Sequence, residues 1–324
     1  MNDTQRLAIL ESLEISSSAI ADIDFKNRSF LVRGASGHFG IWGVLVLAQL
    51  ANKGKPLRIS CETSRYANLV HLLEQLGLTG QIQKATTDEK YDIVLDFSLP
   101  PQDFSRQIDF HFCKELLSGF EGSLSRTKDE GILIIPSSGA VYGHHRFETG
   151  AIDEVMSVSA RDRGTYGEVK YLVEKLSAQV NDKRLPIFRI FSTFGPFFRE
   201  DSELVTNRFF EQARKREDLQ LYSKGIKLRN FAFIGELVAQ MIYLAICKEL
   251  DQSEPINLGC SESFSIFEFA TKISNAFEIG LKEGSGAEIF ECYIPDLTKL
   301  ESFSFPSSKN NTNQFIELTS KYYA

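Results

Sequence analysis

The stretch "SFLVRGASGHFGIWGVLVLAQL", residues 29–50, decides the fold. An apolar run ends at Arg33, three glycines follow as G-x-x-G-x-x-G (Gly34, Gly37, Gly40), and a helix-like apolar segment begins at once. A strand, tight turn and helix in that order aim backbone N–H groups and a helix N-terminus at one point, which favours a phosphate. Each glycine has its own expected task. Gly34 makes the turn, Gly37 admits a pyrophosphate against the backbone, and Gly40 lets the helix close on the sheet. Ser36, His38 and Phe39 lie between them and belong to the same cofactor-facing turn.

Working outward, the same rhythm repeats. "KPLRISCET", "KYDIVLDFS", "GILIIPSSGAVYG" and "LPIFRIFSTFGP" read as strands. "RYANLVHLLEQLG", "DFHFCKELLSGFEGSL" and "TYGEVKYLVEKLSAQVN" read as the helices between them. Alternation at this spacing predicts an α/β fold, a Rossmann-type doubly wound parallel sheet. After Pro196 the rhythm loosens, which suggests a smaller C-terminal α/β lobe on the carboxyl edge of the sheet, where ligands of open α/β sheets sit. The expected division is a helical leader at 1–28 with Leu7, Leu10 and Leu13 on one face, a dinucleotide-binding domain at 29–196, and a substrate lobe over most of 197–324. The chain is expected to cross between the lobes.

Composition narrows the function. The chain has 324 residues and a net charge of −7, which argues against a nucleic-acid protein, since those usually carry a basic face. Five scattered cysteines without a CxxC pair argue for a reduced cytoplasmic protein and against a cysteine-rich zinc site. His38, His144 and His145 show no metal-ligand spacing; the pair at 144–145 reads as a solvated loop. No apolar run is long enough to span a membrane. Trp42 and the phenylalanine-rich stretches read as core.

Two further positions bear on the cofactor. Glu62 lies 22 residues past Gly40, at the end of the second strand, where an acid bonds the adenosine ribose. Arg65, three residues on, is placed to face a 2′-phosphate instead. Glu62 points to NAD, and Arg65 leaves NADP open.

The chemistry is expected at Ser138, Tyr166 and Lys170. Tyr166 and Lys170 stand four apart on one helical face. A nearby ammonium lowers a phenol from its ordinary pKa of about 10, giving a base near neutral pH. Ser138, closing the preceding strand, would orient the substrate oxygen whose proton Tyr166 takes.

In the order and spacing of "GASGHFG", "SSGAVYG", "YGEVK", "RIFSTFGP", "LRNFAFIGELV" and "INLGCSESFSIFEFA", the chain resembles an extended short-chain dehydrogenase/reductase of the NAD-dependent sugar-nucleotide epimerase/dehydratase family, from about residue 29 onward. The resemblance implies NAD(P) in the first lobe, a nucleoside-diphosphate sugar in the second, a Ser138–Tyr166–Lys170 centre, and a homodimer through the helix near 109–120 and the one carrying Tyr166. It implies that Phe97 and Ser98 line the cofactor. It also implies that Arg229 clamps the diphosphate, that Asn207 touches the sugar diphosphate, and that Ser192 stands where many members place a substrate asparagine. Glu236, where aspartate is usual, reads as structural. Members that eliminate water across C4–C6 carry an acidic pair just after the serine or threonine. Here those positions are Gly139 and Ala140, which disfavours a 4,6-dehydratase and a UDP-glucuronate decarboxylase. An epimerase is expected; a ketoreductase or dehydratase, and a non-catalytic NAD(H) sensor or scaffold, are the alternatives. The chain departs from the family at Arg33, usually threonine, and at Asp96-Phe97-Ser98, usually a small His-Ala-Ala-like run.

Overall fold

Apolar runs between glycine turns become strands of a parallel sheet in the computed structural model, which describes residues 1–98, 109–143, 150–156, 160–198, 202, 204–251, 254–287, 290–305 and 312–324. His144 and His145 lie outside them. Strands β1 (Arg28–Arg33), β2 (Leu57–Glu62), β3 (Ile82–Lys84), β4 (Tyr91–Asp96) and β5 (Thr127–Ile134) pair in the order β3-β2-β1-β4-β5, every pairing parallel. The sheet continues. β6 (Ser137–Ser138) prolongs β5 past Pro136 and pairs with β7 (Phe188–Ile190). β8 (Ser192–Phe194) belongs to another sheet. Arg184 bonds the backbone of Gly131 and Leu133, joining β5 to the approach of β7. Parallel neighbours need crossovers, and helices supply them. The helices of the described residues are α1 (Asp3–Ser18), α2 (His38–Asn52), α3 (Tyr66–Leu76), α4 (Phe110–Arg126), α5 (Ala160–Ser177), α6 (Val205–Arg214), α7 (Ile234–Cys247), α8 (Ile266–Phe277), α9 (Thr298–Ser302) and α10 (Thr312–Tyr323).

The glycine turn takes the expected shape. Gly34 has φ +67°, and a Cβ there would lie 2.9 Å from Ser98 N. A Cβ on Gly40 would overlap the Gly34 carbonyl oxygen, so the first turn of α2 rests directly on the end of β1. Trp42, Val44, Leu45, Leu47 and Ala48 are fully buried, so α2 is apolar nearly all round and lies within the core.

"LPIFRIFSTFGP" behaves differently from a single strand. It divides at Phe191: β7 stays in the central sheet, while β8 pairs with β11 (Phe231–Phe233). The Phe191 ring turns to Tyr142 and Tyr293, at 6.0 and 4.7 Å between centroids. The lobe beyond is built from short pairs. β9 (Leu219–Gln220) runs parallel to β14 (Leu281–Lys282), and β10 (Leu228–Arg229) lies between antiparallel β13 (Phe264–Ser265) and parallel β15 (Cys292–Tyr293). β12 (Ile256–Leu258) returns to the central sheet beside β7, and α7 packs on α2.

The N-terminal segment is helical, with Asn2 and Gln5 forming a capping box, but only Leu10 and Leu13 of the leucine series turn inward. Leu7 is 61% exposed, while Ala8, Ile9, Ser12, Leu13 and Ser16 are buried. The face is chosen by close approach to α2, α7 and α10, which small side chains allow. Added to Gly235 on α7, a Cβ would lie 2.7 Å from Ser16 Oγ. Leu13 is completely buried. Leu13→Ala should therefore destabilise the fold by about 2–5 kcal/mol, read as a lowered urea midpoint at unchanged m-value. A midpoint equal to the parent's would mean that α1 does not share the core's cooperative unfolding.

Candidate functional site

The N-terminus of α2 opens where the sequence places a phosphate. Its N-cap is Gly37 in extended backbone, with no side-chain cap bond. The first amide groups of a helix have no intrahelical acceptor, so this end suits an anion such as a pyrophosphate. Ser36 accepts from Thr63 Oγ1 at 2.7 Å, tying the turn to the end of β2. Phe39 stacks on Phe97 at 5.8 Å, and Phe97 also abuts Gly43, forming an apolar wall beside the turn. The His38 side chain packs toward the turn that follows β8. Its ring lies tilted against Phe198, 3.6 Å between centroids, near the carbonyls of Gly195 and Pro196, with Nε2 left without a hydrogen-bond partner among the described residues. Burial lowers it to about 3, so it is neutral.

At the ends of β1, β2 and β4 the two departures from the family pattern prove to be partners. Arg33 Nη1 lies 3.2 Å from Asp96 Oδ2, and its Nε donates to Glu62 Oε1 at 2.8 Å. Ser123 on α4 bonds both Arg33 and Asp96. Arg126 holds the other Glu62 oxygen at 2.9 Å. Asp96 is fully buried, and its Oδ1 also accepts from Ser98 N and Oγ, at 2.8 and 2.5 Å. Glu62 therefore stands at the strand end as expected, fixed between two guanidiniums, with its outer edge partly exposed and lone pairs left for ribose hydroxyls. Arg65 is exposed at the N-cap of α3.

Ser138, Tyr166 and Lys170 do meet, and the local chain shows why. Gly164 (φ 65°, ψ 172°) breaks α5 just before the tyrosine, so Tyr166 sits in the first turn of a fresh helical segment. At Gly167 a Cβ would overlap Ala140 O, so only glycine lets α5 press onto the 3-10 turn Gly139–Tyr142. That contact brings the Tyr166 phenol beside the Ser138 side chain. Lys170 is buried. Its Nζ donates to Pro136 O at 2.7 Å and lies 5.8 Å from the Tyr166 ring centre.

The electrostatics differ from the sequence expectation. Burial raises the Tyr166 phenol, and the neighbouring Ser138 hydroxyl opposes this only in part. Lys170 is lowered to about 8 by burial, against the pull of Asp96 and Glu174. Beneath them, Arg189 grips Glu174 through two bonds at 2.9 and 2.8 Å; Ser137 donates to the same carboxylate, and Tyr142 bridges Arg189 and Asn257.

From the second lobe, Arg229 reaches this group, but its guanidinium is bound to Glu291 at 2.7 Å and lies over the Tyr293 ring at 5.5 Å. Ser192 is half-buried on β8, paired with Phe231. Asn207 is buried on α6 and donates to Ser202 O at 3.2 Å. Glu236 is buried in the first turn of α7, a favourable place for an acid. Sequence reasoning missed Tyr293, whose phenol oxygen lies against Gly139 beside Ser138. Its only local signal is a tyrosine two residues before Pro295, which no spacing rule selects. Among the described residues there is no cluster of metal-binding side chains, and no helix is long and apolar enough to cross a membrane.

Two measurements follow from these buried charges. Arg33→Ala strands the Asp96 carboxylate and should cost about 3–5 kcal/mol; adding Asp96→Asn should recover part of it, as a double-mutant unfolding cycle would show. The Lys170 effect has a definite sign. In the absence of ligand the native state loses the lysine proton near pH 8, while the unfolded chain keeps it to about 10.5. The unfolded state thus binds more protons between those values, and the Lys170 contribution to stability should rise with pH across that window. The unfolding free energy of the parent minus that of Lys170→Met, followed against pH, checks this; a falling difference contradicts it.

Comparison with known proteins agrees with this arrangement. Residues 32–259 match the NAD dependent epimerase/dehydratase family. UDP-glucuronic acid decarboxylase 1 of Xenopus tropicalis is 31% identical over 130 residues, 39% of this chain and 29% of that protein. UDP-glucuronic acid decarboxylase 6 of Arabidopsis thaliana is 31% identical over 114 residues, 34% of this chain and 32% of that protein. The chain thus spans about three-tenths of the length of these relatives. Among solved structures, a UDP-glucuronic acid 4-epimerase variant from Bacillus cereus, in complex with UDP-4-deoxy-4-fluoro-glucuronic acid and NAD, superposes with TM-score 0.69 at 17% identity. The match covers 91% of this chain and 98% of that one. A UDP-N-acetylglucosamine 4-epimerase from Methanobrevibacter ruminantium gives 0.67 at 17% identity and the same coverage. The strand order, the glycine turn and the extent of the family match together place this chain in the NAD dependent epimerase/dehydratase family.

Proposed function

We propose that the protein oxidises and re-reduces a ring carbon of a nucleoside-diphosphate sugar, as an epimerase does, on NAD that it retains. The observation that carries this reading is the Ser138 hydroxyl set beside Tyr166 and Lys170, with Gly139 and Ala140 next to it. Neither side chain can move a proton, so that turn offers nothing for elimination at the neighbouring carbons. NAD, when bound, supplies a hydride acceptor and its reduced form a donor. The protein's part is to hold and move protons. Tyr166 takes the proton of the sugar hydroxyl and returns it after the keto sugar has turned over; Ser138 orients that oxygen. Lys170 anchors the strand end through Pro136 O and carries positive charge beside the phenol. Arg229 exchanges Glu291 for the diphosphate, a pairing an arginine makes bidentately. Glu62 at the end of β2 favours NAD over NADP.

The likeness to UDP-glucuronic acid decarboxylases favours one second reading. Oxidation beside a sugar carboxylate would let it leave as carbon dioxide before hydride returns. We further propose a homodimer through α4 and α5, supported by Phe110 and Leu117 on α4, which are 85% and 44% exposed. The five free thiols fit a reducing, cytoplasmic setting.

Incubation with UDP-, dTDP-, CDP- and GDP-sugars, with product stereochemistry read by NMR, tests the reading. Net interconversion of epimers without consumption of reduced cofactor is expected. Carbon dioxide from UDP-glucuronate would select the decarboxylase. Stoichiometric oxidation of reduced cofactor would select a ketoreductase, and no exchange at all a sensor. Tyr166→Phe should keep its NAD and lose turnover by about 100-fold or more. Full activity in that variant removes Tyr166 from the mechanism.

A further inference from the structure

We propose that Arg33 and Arg126 set which dinucleotide the protein accepts: they position Glu62 at the end of β2 for a 2′-hydroxyl, and together they form a masked receptor for a 2′-phosphate. The proposal rests on the reading that NAD occupies the glycine turn. Dinucleotide folds carry either an acid near this strand end for the adenosine 2′-hydroxyl or an arginine for a 2′-phosphate. This strand end carries both, and they neutralise one another. Register brings the groups together. Arg33 ends β1 opposite Glu62 on β2 and opposite Asp96 on β4. Its Nε donates to Glu62 Oε1 at 2.8 Å, and Arg126 Nη1 donates to Glu62 Oε2 at 2.9 Å. Each carboxylate oxygen thus holds one guanidinium. The Glu62 side chain is 38% exposed against 16% for Arg33 and 13% for Arg126, so the acid is the outermost of the three.

Neither guanidinium depends on Glu62 alone for its place. Arg33 Nη1 is held by Asp96 Oδ2 at 3.2 Å, by Gly119 O at 3.3 Å and by Ser123 Oγ. Arg126 Nε donates to Glu89 O at 3.0 Å, its Nη2 donates to Thr86 O, and its guanidinium lies over the Tyr91 ring at 5.4 Å. Of the two acids, Asp96 is fully buried and answers one arginine, while Glu62 answers the other. Neutralising Glu62 therefore leaves one positive charge unanswered within this set, and two forks already ordered by other bonds. A phosphate entering such a place has little ordering left to supply, and a fork of N–H donors matches its oxygens. In the parent the carboxylate occupies both forks, keeps lone pairs for ribose hydroxyls and repels a phosphate. Arg33, which stands where the family pattern has threonine, thus acts on the cofactor through Glu62.

Calorimetric titration of the nucleotide-stripped protein with NAD and with NADP reads the choice directly, with no sugar present. The parent should bind NAD the more tightly. Glu62→Ser should bind NADP about 10–100-fold more tightly than the parent does, and NAD about 10-fold more weakly, as charge-assisted hydrogen bonds are gained and lost. Glu62→Gln removes the charge and keeps the bulk; it should shift the same way, so a serine variant that fails to fold leaves the test intact. Adding Arg126→Gln to Glu62→Ser should remove most of the NADP gain, and Arg126→Lys in its place should restore part of it. The gain should also shrink as salt is raised. A merely structural Arg126 would lower the melting temperature and weaken both nucleotides alike. An NADP-to-NAD affinity ratio that Arg126→Gln leaves unchanged therefore overturns the proposal, as does a parent that binds NAD while neither Glu62 variant gains affinity for NADP. A parent that binds neither nucleotide overturns the NAD reading and this proposal with it. Full activity of Tyr166→Phe would remove the role given to that tyrosine and leave the nucleotide ratios standing.

Discussion

Two helices of this protein begin hard against a backbone carbonyl oxygen, and the site depends on both contacts. α2 rests at Gly40 on the Gly34 oxygen, and α5 rests at Gly167 on the Ala140 oxygen. A methyl group at either glycine would overlap the oxygen. The first contact points a helix N-terminus along the end of β1, where an anion is welcome. The second brings the Tyr166 phenol to the Ser138 hydroxyl. Both requirements are steric, which is why glycine stands at each point and why the glycine turn and the group at Ser138, Tyr166 and Lys170 are each held against a strand end.

Around these contacts the protein buries charge in balanced sets. Arg33 and Asp96, each unusual when read alone, offset one another below the cofactor turn, and Ser123 and Glu62 complete their bonding. Arg189 and Glu174 do the same beneath the turn that follows Ser138, with Ser137 and Tyr142 filling the remaining bonds. A buried ion pair seldom adds much net stability, but losing one partner costs a great deal. Such sets therefore fix geometry more than they raise stability. The Arg33 set also explains why the end of β4 tolerates Asp-Phe-Ser: Asp96 answers Arg33, Phe97 fills the space beside Gly43, and Ser98 caps the Asp96 carboxylate.

The sequence was most legible where function needs a local pattern. Strand, turn and helix around Gly34–Gly40 are contiguous, and Tyr166 and Lys170 share one helical face, so their spacing carries the information. Legibility failed where the decision is made by distant packing. On α1, Leu7 is left exposed while Ser12 and Ser16 are buried, because small residues fit against α7. β3 is a polar edge strand with no apolar alternation to announce it. The split of the expected strand at Phe191 depends on aromatic partners elsewhere in the chain, Tyr142 and Tyr293. Tyr293 itself reaches Gly139, beside Ser138, only through the pairing of β15 with β10. The shift of the Tyr166 phenol was misjudged because helical spacing reports the neighbouring ammonium but not the depth of burial.

The turn at Gly195 and Pro196 is held by two side chains of α2 four residues apart: His38 lies near its carbonyls, and Trp42 Nε1 donates to Pro196 O at 3.2 Å. That turn is also where the chain leaves β8 for α6. The imidazole and the indole thus tie the exit of β8 to the first two turns of α2, so the chain enters the second lobe from a point fixed on the helix that faces the glycine turn.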